Sequence, residues 1–123
     1  MLILTQFIVQ HELKALKKYF SIADFIEGSN KVLKNLAIET KPPKKLPGYK
    51  FFKVRLGGLI KGRMIVFLAT ASKKVVPILI RLKKDKKIGM NMALNNPEVL
   101  EQINYNLERV LDDIKYRRYQ EIS

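Results

Sequence analysis

The segment Tyr49-Lys50-Phe51-Phe52-Lys53-Val54-Arg55-Leu56 has a period of two: Phe52, Val54 and Leu56 fall on one side of an extended chain, and Phe51, Lys53 and Arg55 on the other. One side can pack while the other meets a ligand. Gly57-Gly58 and Gly62 bracket a loop, after which Arg63-Met64-Ile65-Val66-Phe67-Leu68-Ala69 reads as a largely buried strand. Ser72-Lys73 turns the chain into a third apolar strand, Val75 to Leu82. Pro77 removes a ladder donor there and predicts either an edge position or a bulge. Three strands joined by short loops read as an antiparallel meander.

Upstream, the run Leu2 to Val9 is short and rich in Ile, Leu, Phe and Val, and is expected to form a first strand. Two helices should follow. Leu13, Leu16 and Phe20 recur at helical spacing with Lys14, Lys17 and Lys18 opposite, and Phe25, Ile26, Val32, Leu33 and Leu36 continue the pattern after a break near Ser21. Gly28-Ser29-Asn30 weakens the middle of the second helix. Lys41-Pro42-Pro43-Lys44-Lys45 excludes helix, because paired prolines lack donors and push the preceding residue towards extended geometry, and marks the joint between a helical half and a sheet half.

Downstream, Asn96-Pro97-Glu98 offers an N-cap, a proline at the first helical position and an acid in the first turn. Leu100, Ile103, Leu107, Val110, Leu111 and Ile114 then form an apolar stripe, expected either to dock on the chain's own sheet or to exchange with a partner. The expected fold is α+β: an N-terminal strand, two helices, a three-strand antiparallel meander and a C-terminal amphipathic helix. One domain over residues 1–123 is expected, with a core of about 2–92 and a helical extension of about 96–119.

Zero cysteines exclude disulfides, thiolate nucleophiles and Cys-ligated metals, and the lone His11 cannot build a multi-histidine site, so no metal or cofactor is expected. Leu2 to Val9 lacks a basic flank and a small-residue cleavage site, and no apolar run approaches the ~18 residues of a membrane span. A soluble, cytoplasmic protein is the expectation. Its charge is unevenly placed. Between Lys41 and Lys87 stand fifteen Lys or Arg and one acid, Asp85, whereas the other 76 residues carry nine bases and ten acids, for a net +13. Such crowding costs stability by self-repulsion and suggests a polyanionic partner, nucleic acid first. A merely solvated basic face and an anionic membrane surface are the alternatives, although solubility devices normally intersperse both signs.

There is no P-loop, nucleophile elbow or glycine fingerprint. What remains is basic: Lys53 and Arg55 on a strand face, Arg63 at the next strand's start, and Arg81, Lys83, Lys84, Lys86 and Lys87 at the end of the last. If the strands are neighbours, these groups converge. Attack of an RNA 2′-hydroxyl on the adjacent phosphorus needs a base, cations around the phosphorane oxygens and an acid for the leaving 5′-oxygen, and needs no metal. Arginine's charged fork suits the phosphate oxygens, and a lysine crowded by cations can work in proton transfer. On this reading Arg55, Arg63, Lys83, Lys84 and Lys86 are the candidate catalytic residues, with Lys44, Lys45, Lys53, Arg81 and Lys87 as RNA contacts.

The strand–two helices–meander order, Leu46-Pro47-Gly48-Tyr49 leading to Lys53-Val54-Arg55-Leu56, the string Gly62-Arg63-Met64-Ile65-Val66-Phe67, and Val75 to Leu82 running into a basic cluster together resemble the RelE branch of the RelE/ParE toxin superfamily. The resemblance covers roughly residues 2–92. It implies a metal-independent endoribonuclease (an mRNA interferase) that enters the ribosomal A site, cleaves mRNA and is restrained by an antitoxin that wraps it. Lys53, Arg55 and Arg63 match the family's basic positions, and Lys83, Lys84 and Lys86 its basic segment after the last strand. Many relatives end that segment with a Tyr, or a His and Tyr, whereas this chain runs Ile88-Gly89-Met90-Asn91-Met92. Lysines would then carry the acid–base work, or Tyr116 or Tyr119 would return to the site, or catalysis would be weakened. The rivals are a ParE-like protein that binds gyrase and a non-catalytic RNA- or ribosome-binding protein. For the latter, Tyr49 and Phe51 would be stacking platforms rather than sheet packing.

Overall fold

Strand β1 (Leu2–Thr5) is buried along its whole length and stops earlier than its apolar run predicts. In the computed structural model, which describes residues 1–57, 60–83 and 96–122, Thr5 ends the strand by capping a helix, its hydroxyl accepting from Ile8 N at 3.4 Å. Helix α1 (residues 6–16) contains a π turn at Val9–Leu13. The extra residue of that turn brings both Glu12 and Leu13 to the buried side. Helix α2 (Ile22–Leu33) follows the expected break, with Ser21 N donating to Asp24 Oδ2 at 2.8 Å. It runs straight through Gly28-Ser29-Asn30 because Gly28 permits contact with the sheet: a Cβ there would stand 2.5 Å from Met64 Cε and 3.3 Å from Leu56 Cδ2. Asn35, at φ 60, ends the helix, and Leu36 N bonds back to Lys31 O.

The sheet begins before the prolines, not after them. Strand β2 (Ile38–Thr40) was not foreseen; it pairs antiparallel with β3 (Tyr49–Leu56), so Pro42 and Pro43 lie in a connection between two strands. Strands β4 (Gly62–Ala69) and β5 (Lys74–Leu82) complete the expected meander. Helix α3 (Pro97–Lys115) leads into β6 (Tyr119–Ile122), a second unforeseen strand. Among the described residues the sheet has six strands in the order β2-β3-β4-β5-β1-β6, with β1 parallel to β5 and antiparallel to β6. The protein is α+β, with a mixed sheet and, among the described residues, three helices. Val54, Leu56 and Met64 are buried towards α2, and Phe51, Ile65 and Phe67, of opposite parity, are buried equally well.

Pro77 sits inside the sheet, so of its two expected consequences the bulge is the one realised. Ile65 pairs with Leu79 and Val66 with Pro77, which leaves Ile78 without a partner on β4. Its carbonyl is satisfied from α3 instead: Asn106 Nδ2 donates to Ile78 O at 2.8 Å, and Gln102 Nε2 donates to Asn106 Oδ1 at 2.9 Å. Asn96 caps α3 as expected, accepting from Glu98 N at 3.0 Å. The buried stripe is rotated from the expected one, running through Val99, Ile103, Leu107 and Val110, with Leu100, Leu111 and Ile114 half-buried on its flank. The helix therefore belongs to this chain's own core, packed on β5 and β1. Near its end the buried Asp113 carboxylate accepts from Phe7 N at 2.7 Å and from Arg118 Nε at 2.8 Å, joining the start of α1 to the start of β6.

Replacing Asn106 by Ala strips the bulge carbonyl of its donor in a dry setting. The expected loss is about 1–3 kcal/mol in urea-induced unfolding. An unchanged midpoint would mean that the bulge does not depend on α3.

Candidate nucleic-acid interface

Cross-strand register brings the predicted arginines together. Arg55 pairs with Arg63, and Arg63 with Arg81, so three guanidinium-bearing positions stand in one row across β3, β4 and β5 on the same face. Neighbouring strands are about 4.8 Å apart, and like charges directly opposed destabilise a sheet. The row is relieved at one end. Arg81 Nη1 donates to Glu12 Oε1 and Oε2 at 2.6 and 2.8 Å, and Glu12 Oε1 also accepts from Ile80 N at 2.9 Å. Glu12 is 6% exposed at its side chain and Arg81 21%. This carboxylate stands where β1 has already left the sheet. With Leu2 opposite Val75, the parallel register carries β1 only as far as Ile78, and α1 then supplies Glu12 to the strand beyond. Arg81 was expected to contact RNA; the structure gives it a protein carboxylate.

Beyond the row, the β3–β4 turn opens into a cleft of ≈ 190 Å³ lined by Lys31, Arg55, Lys61, Arg63 and Lys83 with the chain at Leu56, Gly57 and Gly62. No acid lines it among the described residues. Local structure explains each position. Lys31 comes from the last turn of α2 and donates from Nζ to Arg55 O at 3.0 Å. Lys83 N donates to Lys61 O at 3.0 Å, which ties the end of β5 to the start of β4. Gly62 lets the ring of Phe20 close over the strand: a Cβ there would stand 2.4 Å from Phe20 Cζ and 3.1 Å from Arg81 O, so the ring would have to shift. A second hollow of ≈ 110 Å³, lined by Ile38, Lys53, Val54, Arg55 and Arg63, adjoins the cleft through the two shared arginines.

Of the predicted residues, Arg55, Arg63 and Lys83 meet at the cleft and Lys53 lies beside it. Lys84, Lys86 and Lys87, like Gly58 and the Ile88–Met92 run, lie outside the described residues. Lys44 stands apart in a hollow with Glu108 and Asp112 of α3, and Lys45 is exposed on the same connection. Sequence patterning missed Lys31 and Lys61. Lys31 was visible only as one lysine on a solvated helix face, and nothing local signals that its helix ends above Arg55. Tyr119 does not return to the site: it pairs with Thr5 on β6, three strands from β4 and so roughly 14 Å away. Tyr116 is exposed beside Lys115 and Arg118. Phe51 is fully buried against Phe67, and Tyr49 packs edge-on to that ring at 5.2 Å, so these aromatics are sheet packing and not stacking platforms.

Comparison with known proteins found no match, whether to a family model, a curated protein or a solved structure.

Changing Glu12 to Gln removes the buried carboxylate that accepts from Arg81 Nη1 and from Ile80 N. Stability should fall by on the order of 2–4 kcal/mol in chemical denaturation. Replacing Glu12 and Arg81 together, by Gln and Leu, should recover part of that loss.

Proposed function

We propose that this protein is a RelE-like toxin that cleaves mRNA without a metal, in association with the ribosome, and is held in check by a cognate antitoxin. The observation that carries the proposal is the convergence of Lys31, Arg55, Lys61, Arg63 and Lys83 on one cleft at the end of the sheet, whose lining among the described residues holds no acid. The order of strand, two helices and meander accords with it. Arg55 and Arg63 project from adjacent strands and are suited to grip the non-bridging oxygens of one phosphate. In the reaction, the 2′-oxygen bonds to phosphorus as the bond to the 5′-oxygen breaks, giving a 2′,3′-cyclic phosphate and a 5′-hydroxyl. Charge accumulates on the phosphorane oxygens between the guanidiniums, where it is worth most to the rate. Among the described lining residues the proton carriers are lysine amines, with Lys83 at the end of β5 and Lys61 beside it.

The absence of Tyr, His or carboxylate from the described lining favours a second reading, a protein that binds RNA or the ribosome without cutting. A translation reaction programmed with a defined mRNA separates the two. Cut transcripts are expected, and Arg63→Ala should lower the cleavage rate by on the order of 10²–10³ while the protein stays folded. Intact mRNA with ribosome-bound protein would establish the second reading. Intact mRNA with inhibited gyrase would establish a ParE-like protein.

Binding to single-stranded RNA should weaken as salt rises, with about 0.7 in log–log slope for each phosphate neutralised. Replacing Arg55 by Ala should reduce that slope by about that amount. A flat salt dependence would remove the basis for a phosphate cleft.

A further inference from the structure

We propose that β6 is the seam of a symmetric dimer, in which the edge strands of two copies of this chain pair antiparallel and join their sheets into one. The strand is open on its outer side. Among the described residues β6 pairs with β1 alone, and Gln6 N donates to Arg118 O at 2.9 Å, which sets the alternation along the strand. Gln120 and Ile122 therefore bond inward to β1, while Tyr119 and Glu121 hold their N–H and C=O groups outward. An extended polypeptide answers both kinds of group, whereas phosphate oxygens accept and never donate. The opposite edge of the sheet is differently made. Strand β2 is three residues long and runs straight into Lys41-Pro42-Pro43, the residue types that blunt an edge. Tyr119-Gln120-Glu121-Ile122 contains neither lysine nor proline.

Charge and register select a second copy as the occupant and fix how it sits. Glu121 on the strand is matched by Lys74 at 3.1 Å, and Arg118 at its start by Asp113 at 2.8 Å; Lys115 and Arg117 precede it, with Asp112 nearby on α3. An acidic partner finds no excess of cations on the strand itself. A two-fold axis through Gln120 pairs both outward residues, setting Tyr119 against the partner's Glu121 and forming four backbone bonds across the seam. An axis through Glu121 would instead oppose two carboxylates. The Gln120 register also brings the partner's Ile122 opposite Arg118, beside a hollow of ≈ 310 Å³ whose lining includes Leu4, Val9, Arg118 and Gln120. Val9 is 38% exposed and supplies apolar surface for that side chain. The basic strands stay apart. By strand order, β4 of one copy stands seven spacings from β4 of the other, roughly 34 Å, beyond the ~8 Å Debye length at physiological salt.

Sedimentation equilibrium of the full chain over a concentration series tests the seam. Monomer and dimer are expected, with dimer favoured as salt rises, because the residual force between two copies of net charge +13 is repulsive. RNA binding has the opposite salt dependence, so the two readings stand or fall separately. Val9→Lys, which places a charge in the hollow and touches no ladder, should weaken dimerisation on the order of tenfold. Glu121→Pro removes one outward donor from each copy and should abolish the dimer, whereas Glu121→Gln keeps the amide and should retain it. Melting curves check that each variant is folded, and if Glu121→Pro is not, Val9→Lys decides. A monomer at every concentration, or a dimer indifferent to Val9→Lys, would overturn the seam. So would a dimer that dissociates as salt rises, since opposite charges on other faces would then be holding the copies together.

Discussion

The Glu12 carboxylate holds together parts of the molecule that would otherwise repel or come undone. Strand β1 leaves the sheet at Thr5, and the β5 edge beyond it carries an amide at Ile80 and a guanidinium at Arg81. One carboxylate answers both, and it reaches them because the π turn in α1 rotates Glu12 inward. That carboxylate stands at one end of the row of Arg55, Arg63 and Arg81, which sets three guanidiniums side by side on adjacent strands. With it, one end of the row is neutral and structural, and the other two arginines remain directed to the cleft.

Two further buried polar groups do comparable work at the other breaks in regularity. Pro77 cannot donate to the ladder and creates a bulge, and the carbonyl so released is met by Asn106. The end of β1 and the start of α1 leave amides to satisfy, and Asp113 meets the one at Phe7 while also gripping Arg118. Both come from α3. That helix is thus held by polar contacts at specific sheet atoms as well as by its apolar stripe, which fixes its register along β5. Among the described residues no buried side-chain polar atom lacks a partner.

The placement of charge follows from this architecture. The acids that do the joining, Glu12 and Asp113, lie outside the 41–87 segment where positive charge is concentrated. Of its basic residues, Arg81 is matched by the buried carboxylate of Glu12. The cations of the cleft come from four separate elements, the end of α2, the facing ends of β3 and β4, and the adjoining end of β5. Small displacements of any one element would alter their spacing, which explains why the backbone is tied at Lys31 to Arg55 and at Lys83 to Lys61.

Much of this was already legible in the residues themselves. Alternation through Phe51 to Leu56 and the apolar runs after Gly62 and Ser72 determined the meander, because a period of two is compatible only with strands. Asn96-Pro97 determined where α3 begins, and the run of lysine and arginine determined that positive charge gathers between residues 41 and 87. Tertiary structure decided the rest. β2 and β6 are short and mostly polar, so they exist as strands only because β3 and β1 offer them ladders. The apolar run at the N-terminus was divided between strand and helix by a threonine cap, and Glu12, Asn106 and Asp113 acquired their roles from partners 68, 28 and 106 residues away. Periodicity records which side of an element is buried. It carries no record of which distant backbone atom lies there unpaired, and in this protein those atoms determine which buried polar groups are spent on the fold.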